Sequence, residues 1–183
     1  MRRKKDLAEL LIDVKLLRRK LAHSLAKLDK RIESLEALVV QSSSTVSAFS
    51  ARVAKEIDQL ENVRKRIYVL DVLLEKLEIR LETVISLGSL VESLRPVVSA
   101  LKELSKSFPI PMEISPDFDD LISSLSSVLP SEGGLSFLFK QRPSEETLSI
   151  LKEAESTGLR LSTRLPSEMT VSSLISSFSS NTS

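Results

Sequence analysis

The longest regular pattern of hydrophobic residues lies between residues 51 and 84. Apolar side chains recur there at spacings of three, four and seven, which place them on one face of an α-helix. These residues are Val53, Ile57, Leu60, Ile67, Leu74, Leu77, Leu81 and Val84. The segment contains neither Gly nor Pro and is rich in good helix formers. It therefore predicts one long helix, helix 2, whose apolar stripe needs a partner.

A pattern of the same period precedes this segment and predicts helix 1 over roughly residues 5–40. Its stripe consists of Leu7, Leu11, Val14, Leu21, Leu25, Leu28, Ile32, Leu35 and Val39. Residues 41–45, between the two patterns, are rich in serine, which favours caps and turns. We therefore predict an antiparallel helical hairpin with its tip near residue 43.

The pattern of helix 2 continues beyond the predicted end of the pairing, up to Pro96, where a helix stops or kinks. This overhang carries the apolar residues Ile85, Leu87, Leu90, Val91 and Leu94. Exposed apolar surface forgoes about 25 cal/mol per Å2 of burial. We therefore expect later helices of the chain or a neighbouring subunit to cover the overhang.

Shorter elements follow the hairpin. We predict that residues 1–107 form the hairpin core together with a third helix at 97–107, and that a proline-containing link and helix 4 follow at 108–130. A flexible linker at 131–143 then leads to an acidic regulatory helix 5 at 144–166. The remaining residues, 167–183, are predicted to be a disordered serine-rich tail. The predicted apolar stripe of helix 5 is Leu148, Ile150, Leu151 and Ala154, continued by Leu159 and Leu161. The predicted fold is all-α: a long hairpin, two short helices and a detached fifth helix.

Composition agrees with long helices rather than an ordinary globular core. Of the 183 residues, 28% are charged and only 4% are aromatic. The absence of cysteine excludes disulfides and cysteine metal ligands. No apolar run approaches the ~18 residues of a membrane span, and the basic N-terminus lacks the apolar stretch of a signal peptide. We therefore expect a cytoplasmic protein.

The net charge of +1 hides an asymmetry along the chain. Residues 1–40 carry 11 basic and 6 acidic side chains, whereas residues 113–183 carry 5 and 10. A basic head favours contact with an anionic surface, and an acidic tail can fold back to mask it. The alternative is that long helices simply scatter charge. The predicted membrane-binding residues are Arg2, Arg3, Lys4, Lys5, Lys15, Arg18, Arg19 and Lys20.

Candidate catalytic groups are scarce. The only histidine, His23, lies within helix 1 without cysteine or patterned carboxylates around it. The sequence contains no phosphate-binding loop, dinucleotide fingerprint, nucleophile elbow or metal-ligand spacing. We therefore expect no enzymatic activity and no cofactor. The basic face of helix 1 lacks interleaved aromatic residues, so nucleic acid is not an expected partner.

The order of these elements resembles that of ESCRT-III proteins, and most closely the archaeal cell-division branch, the CdvB family. Residues 51–84 carry the resemblance, especially the string Ile-Arg-Leu-Glu-Thr at 79–83. The segment at 108–114 resembles the family's link between helices 3 and 4. Residues 146–166 resemble its fifth helix. We expect no C-terminal winged-helix segment of the kind that some CdvB-like members carry to bind a membrane adaptor. The expected protein is therefore a paralogue that another ESCRT-III subunit recruits.

The resemblance implies a non-enzymatic protein that forms filaments with itself and with paralogues on anionic membrane and constricts it during archaeal cell division. It also implies a peripheral location on the inner face of the cell membrane at the division site. The implied partner is an AAA+ ATPase, CdvC, whose MIT domain grips C-terminal motifs. The implied contact residues are Leu148, Leu151, Leu161, Arg164 and Leu165, although Glu168 stands where a further leucine is expected.

Two other functions fit a helical hairpin. A prefoldin-like chaperone needs strands between its helices, for which residues 41–45 are too few. A passive coiled-coil scaffold leaves the acidic fifth helix and the overhang unexplained.

The overhang and the charge asymmetry together predict autoinhibition. Helices 3 to 5 cover the overhang in the soluble state, and the acidic fifth helix reaches back along the basic hairpin. A neighbouring hairpin covers the overhang in the polymer. Because the two states bury similar area, we expect them to differ by only a few kcal/mol.

Overall fold

The computed structural model describes residues 5–41, 47–88, 91–129 and 143–163. In these ranges the chain is all-α, as predicted, and contains no strand. The elements are α1 (Leu7–Gln41), α2 (Ser47–Leu87), a 3-10 turn (Val91–Leu94), α3 (Arg95–Ser107), α4 (Ser115–Val128) and α5 (Glu145–Thr163). No helix in the described ranges is both long enough and apolar enough to cross a membrane.

The predicted long hairpin is confirmed. Helix α1 begins with reciprocal capping, in which the Glu9 amide donates to Asp6 Oδ1 at 2.7 Å and the Asp6 amide donates to Glu9 Oε2 at 3.1 Å. Its buried stripe includes Leu10 and Leu17, which the sequence pattern left out. The stripe residues Leu7, Leu11, Leu25 and Leu28 are only partly buried.

The hydrophobic core of the hairpin consists of two separate clusters. The larger one joins α1, α2, α3, α4 and α5, and it includes Val14, Leu21 and Leu74. The smaller one lies towards the tip and is formed by Ile32, Leu35, Val39, Val53 and Ile57. Polar residues described below lie between the two.

The predicted extension of helix 2 up to Pro96 is wrong, because α2 ends at Leu87. Gly88 follows with a φ of 58°, a left-handed conformation that glycine adopts without strain and that ends helices. Pro96 lies in the first turn of α3, where its missing N–H costs nothing. The chain therefore folds back at this point instead of forming a straight overhang.

Helix α3 runs antiparallel to α2. The Arg80 guanidinium donates to the Ser93 carbonyl at one end, and Arg66 Nη1 donates to the Ser107 carbonyl at 3.1 Å at the other. The Arg66 guanidinium also lies 5.4 Å from the centre of the buried Phe108 ring, at the start of the proline-containing link. These contacts hold the link against the hairpin.

Helix α4 begins one position earlier than predicted, with Ile114 rather than Ser115 as its N-cap and with Pro116 in the first turn. Its buried face is formed by Phe118, Leu121 and Leu125. This face packs against α1 and α3.

Helix α5 follows the predicted start signal, since the Thr147 amide donates to Ser144 Oγ at 3.2 Å. The long linker separates α5 from α4 along the chain, but in space α5 packs on α2 and α3 rather than standing apart. Its predicted stripe is wrong in part, because Leu148, Leu159 and Leu161 are exposed. The face that is buried carries Thr147, Ile150, Ala154, Gly158 and Ser162.

Candidate interaction surfaces

The basic face of α1 is paired with acidic residues of the α4 segment. Lys5 Nζ lies 2.6 Å from Asp120 Oδ2 and 2.7 Å from Asp13 Oδ2. Further along α1, Lys20 forms an ion pair with Asp117, and Lys27 lies 3.4 Å from a carboxylate oxygen of Glu113. Three basic side chains are therefore neutralised by one acidic edge, and α4 runs antiparallel to α1.

These ion pairs hold Lys5 in its charged form. Hydrogen bonds to Asp120 and Asp13 raise the pKa of the Lys5 ammonium above its usual value. The pairs remain partly exposed to solvent, so each contributes little to stability by itself. Their main effect is to occupy charges that would otherwise face an external anion.

Lys15 and Arg18 pair within the hairpin instead. Arg18 donates two hydrogen bonds to Asp71, from Nε to Oδ1 at 2.9 Å and from Nη2 to Oδ2 at 3.3 Å. It also donates to Glu78 at 2.9 Å, and Lys15 donates to Glu82 at 2.8 Å. The hydrogen bond to Asp71 raises the pKa of the Arg18 guanidinium, although partial burial opposes this. Both residues therefore fix α1 on α2.

The other predicted membrane-binding residues are distributed as follows. Arg2, Arg3 and Lys4 lie outside the described residues. Arg19 is exposed, and among the described members of this set it is the one for which no ion pair is found. Apart from Asp13, which lies 8 positions from Lys5, the carboxylate partners lie 53 to 115 positions away along the chain, which is why sequence reasoning missed them.

Arg19 belongs to an outer face of α1 that the sequence analysis overlooked. Ile12 and Leu16 are exposed on this face, outside the buried stripe. Leu16, Arg19 and His23 line an open groove that Ile114 closes on the side of α4. The signal was available in the sequence, because Ile12 and Leu16 are four residues apart and off the main stripe.

The predicted overhang residues have different surroundings. Leu94 is fully buried in the larger cluster, and Val91 is partly buried against it. Ile85 and Leu87 are exposed, Leu87 by 73%, and Leu90 lies outside the described residues. The chain reverses at Gly88, which buries the C-terminal part of the predicted stripe at Val91 and Leu94 and leaves Ile85 and Leu87 exposed to solvent.

Helix α5 lies in a groove formed by α2 and α3, antiparallel to α2. Arg80 pairs with Glu146 at 3.1 Å, and Lys76 pairs with Glu153 at 2.9 Å. In the C-terminal half of the helix, a Cβ added to Gly158 would lie only 2.8 Å from Val69 Cγ2. The two helices approach so closely here that no side chain fits between them.

Arg64 contacts the C-terminal end of α5. Its guanidinium donates to Asp29 Oδ1 at 3.2 Å and reaches the Ser162 carbonyl at 3.5 Å, at the negative end of the α5 dipole. Arg64 is only 6% exposed, and its Nε has no hydrogen-bond partner among the described residues. One buried cation thus joins α1, α2 and α5.

The charge of Arg64 also acts on the nearby carboxyl of Glu36. Burial raises the pKa of the Glu36 carboxyl, and repulsion by Glu61 adds to this, while Arg64 opposes it. The nearly buried Arg64, paired with Asp29, therefore interrupts the apolar core of the hairpin at the level where α5 ends.

The predicted ATPase contacts fall on the outer side of α5 and beyond it. Leu148 and Leu161 are exposed, and Leu151 is partly buried. Arg164 and Leu165 lie outside the described residues.

Within the described ranges, no group of three or more His, Cys, Asp and Glu residues is placed to hold a metal ion.

Comparison with known proteins identifies relatives. The chain is 35% identical over 156 residues to cell division protein B3 of Sulfolobus acidocaldarius, an alignment that covers 84% of this chain and 90% of B3. It is 28% identical over 134 residues to cell division protein B1 of the same organism. That alignment covers 71% of this chain but only 63% of B1. Neither a protein-family model nor a solved structure matches the chain.

Proposed function

The chain belongs to the CdvB-like branch of the ESCRT-III family, and from this premise we propose that it acts in archaeal cell division as a filament-forming protein that binds and constricts the membrane. The proposed location is the cytoplasmic face of the cell membrane at the division site. The proposed partners are further copies of this chain, ESCRT-III paralogues, anionic lipid and the AAA+ ATPase CdvC. The prefoldin-like and scaffold alternatives gain no specific observation from the described residues.

The observation that carries the proposal is the acidic edge of α4 on the basic face of α1. Ion pairs join Lys5 to Asp120, Lys20 to Asp117 and Lys27 to Glu113. The phosphates of an anionic membrane would pair with these lysines in the same way. Because these pairs are partly exposed, exchanging them for lipid phosphates costs little. The proposed membrane-binding surface therefore consists of the N-terminal basic residues with Lys5, Arg19 and Lys20, while Lys15 and Arg18 maintain the hairpin.

Neutralising two of the α4 carboxylates is expected to strengthen membrane binding. The variant Asp117→Asn/Asp120→Asn frees Lys20 and removes one of the two carboxylates that pair with Lys5, since Asp13 remains. A freed lysine is worth about 1 kcal/mol near an anionic surface, so we expect a roughly 5- to 30-fold gain in affinity. Sedimentation with liposomes containing anionic lipid measures this gain. Reversal of Arg2, Arg3, Lys4 and Lys5 to glutamate is expected to abolish sedimentation at low salt.

A control separates masking from simple net charge. Glu33→Gln/Asp58→Asn changes the net charge by the same amount at two exposed positions for which no ion pair is found in the described part of the hairpin. This control is expected to bind liposomes nearly as the unmodified chain does. Equal gains for both double variants, or no loss on reversal of the N-terminal charges, would contradict the proposed surface.

We further propose that the structure is the closed state of a switch. Opening would require α2 to continue through Gly88 and Pro96 into α3, against helix penalties of about 1 and 3 kcal/mol. Undocking of α5 and α4 would uncover the groove on α2 and the basic face of α1. Membrane and neighbouring subunits together would then supply the few kcal/mol that separate the two states.

The ATPase is expected to bind α5 and the residues after it. We expect a labelled peptide of residues 144–170 to bind the MIT domain through Leu148, Leu151, Leu161, Arg164 and Leu165. The intact chain should bind more weakly than the peptide, because the docked helix first has to leave α2. Fluorescence anisotropy measures both affinities. Absence of binding by the peptide at roughly 1 mM, the weak end of specific affinities, would remove the assignment.

A further inference from the structure

We propose that closed copies of this chain associate head to tail, with the outer face of α1 in one copy packed on the outer face of α5 in the next. The contact goes beyond the proposed function, because it requires neither a membrane nor the opening of the hairpin. It rests on two exposed stripes of matching spacing and complementary chemistry.

The α1 stripe is formed by Ile12, Leu16, Arg19 and His23. Ile12 is 57% exposed and Leu16 is 48% exposed. Arg19 and His23 continue the same face one and two turns further on, and both are exposed. The stripe is therefore apolar at its N-terminal end and carries a cation beyond it.

The α5 stripe is formed by Leu148, Lys152, Glu155 and Leu159. It has the same spacing of four, three and four residues as the α1 stripe, and both extend over about 16 Å of helix. Leu148 is 52% exposed and Leu159 is 53% exposed, while the opposite face of α5 is buried on α2 and α3. Docking of α5 thus turns these leucines to solvent.

A parallel arrangement of the two stripes pairs their chemistry. Ile12 then lies opposite Leu148, and Arg19 lies opposite Glu155. Leu16 meets the methylene stem of Lys152, whose ammonium remains in water. The antiparallel arrangement would bring Arg19 next to Lys152, so charge selects the parallel one.

Both stripes are exposed in the same molecule, so neither covers the other within one chain. A contact between two different surfaces leaves one unused stripe at each end of every open assembly. Such a contact grows into rings or open filaments rather than stopping at a symmetric dimer. A second copy is therefore the occupant that fits both stripes at once.

The full chain without lipid should accordingly form a concentration-dependent ladder of oligomers in sedimentation velocity. Ile12→Ser/Leu16→Ser removes the apolar part of the α1 stripe, and Leu148→Ser/Leu159→Ser removes that of the α5 stripe. Each variant alone is expected to be monomeric. An equal mixture is expected to give a dimer and nothing larger, because one intact stripe of each kind remains. Ile79→Ser, at an exposed α2 position outside both stripes, should leave the ladder unchanged.

Charge exchange tests the register. Arg19→Glu and Glu155→Arg are each expected to weaken association by about tenfold, and the double variant should recover most of the loss. A full chain that stays monomeric at roughly 1 mM, or stripe variants that sediment like the unmodified chain, would overturn the contact. The contact would also be overturned if the Ile12→Ser/Leu16→Ser variant lost only liposome binding, because Ile12 and Leu16 would then contact the membrane. Liposome binding by a monomeric chain would leave the proposed function standing.

Discussion

Replacing Gly158 by leucine is expected to release α5 from the hairpin and to trigger polymerisation of opened chains without membrane, beyond any association of closed copies. A Cβ at this position would lie 2.8 Å from Val69 Cγ2 and 3.0 Å from the Val69 backbone nitrogen. Backbone atoms in the middle of α2 cannot move aside, so the new side chain has to push the whole of α5 outward. Such overpacking costs about 1–3 kcal/mol, which is comparable to the few kcal/mol expected between closed and open states.

Hydrogen exchange measures the release of α5, and sedimentation measures the polymerisation. The protection of the α5 amides against exchange should fall by about 5- to 150-fold, as a cost of about 1–3 kcal/mol implies. The variant should then behave like a chain lacking residues 140–183, which we expect to polymerise spontaneously and to bind membrane more tightly. Ser156→Leu adds the same side chain at an exposed position of α5 and serves as the control.

Two outcomes would count against parts of this argument. Retained protection of α5 in the Gly158→Leu variant would mean that the close approach to Val69 is not what seats the helix. If α5 is released in the Gly158→Leu variant, but neither this variant nor the chain lacking residues 140–183 polymerises, then α5 does not control assembly.

Removal of the Asp29 carboxylate is expected to cost more stability than removal of the cation it partners. Asp29→Ala leaves Arg64 charged and almost fully buried, and its Nε already lacks a hydrogen-bond partner within the part of the chain that the structure describes. An uncompensated buried charge of this kind costs about 2 kcal/mol or more, although nearby Glu36 offsets part of it. Urea unfolding followed by circular dichroism measures the loss.

Arg64→Met provides the matched comparison. Methionine keeps most of the volume of arginine and leaves no buried cation, so the free energy of unfolding should fall by about 1 kcal/mol or less. The exchange of amides at the end of α5 should nevertheless accelerate, because the Ser162 carbonyl loses its donor. A larger loss for Arg64→Met than for Asp29→Ala would show that packing, rather than charge, dominates at this junction.

The repeating apolar positions were sufficient to predict the two long helices and their antiparallel pairing. Periodicity is a local property, and residues such as Leu74 and Leu77 lie on one face whatever surrounds the helix. The capped start of α5 at Ser144 was likewise predictable from residues within one turn of it. Serine at residues 42–44 indicated the position of the hairpin tip, which lies outside the described residues.

The end of α2 was predictable in principle but was assigned to the wrong residue. Gly88 was a signal in the sequence, yet a single glycine costs a helix only about 1 kcal/mol and is often tolerated. Whether the helix ends there depends on what the chain gains by folding back. Burial of Leu94, Val97 and Leu101 in the larger cluster supplies that gain, and it exists only once α3 meets α2.

The long helices, their pairing as a hairpin and the absence of cysteine chemistry were predictable without coordinates, because they depend on spacing and residue type alone. Which face of α5 is buried depends on the packing of α2 and α3 against it. The helices approach closely at Gly158, so the face with Ile150, Ala154 and Gly158 is buried and Leu148 and Leu159 are exposed. The tertiary structure also decided which basic residues remain available. Lys5 and Lys20 meet carboxylates of α4 about a hundred positions away, and no local pattern encodes a pairing over that distance.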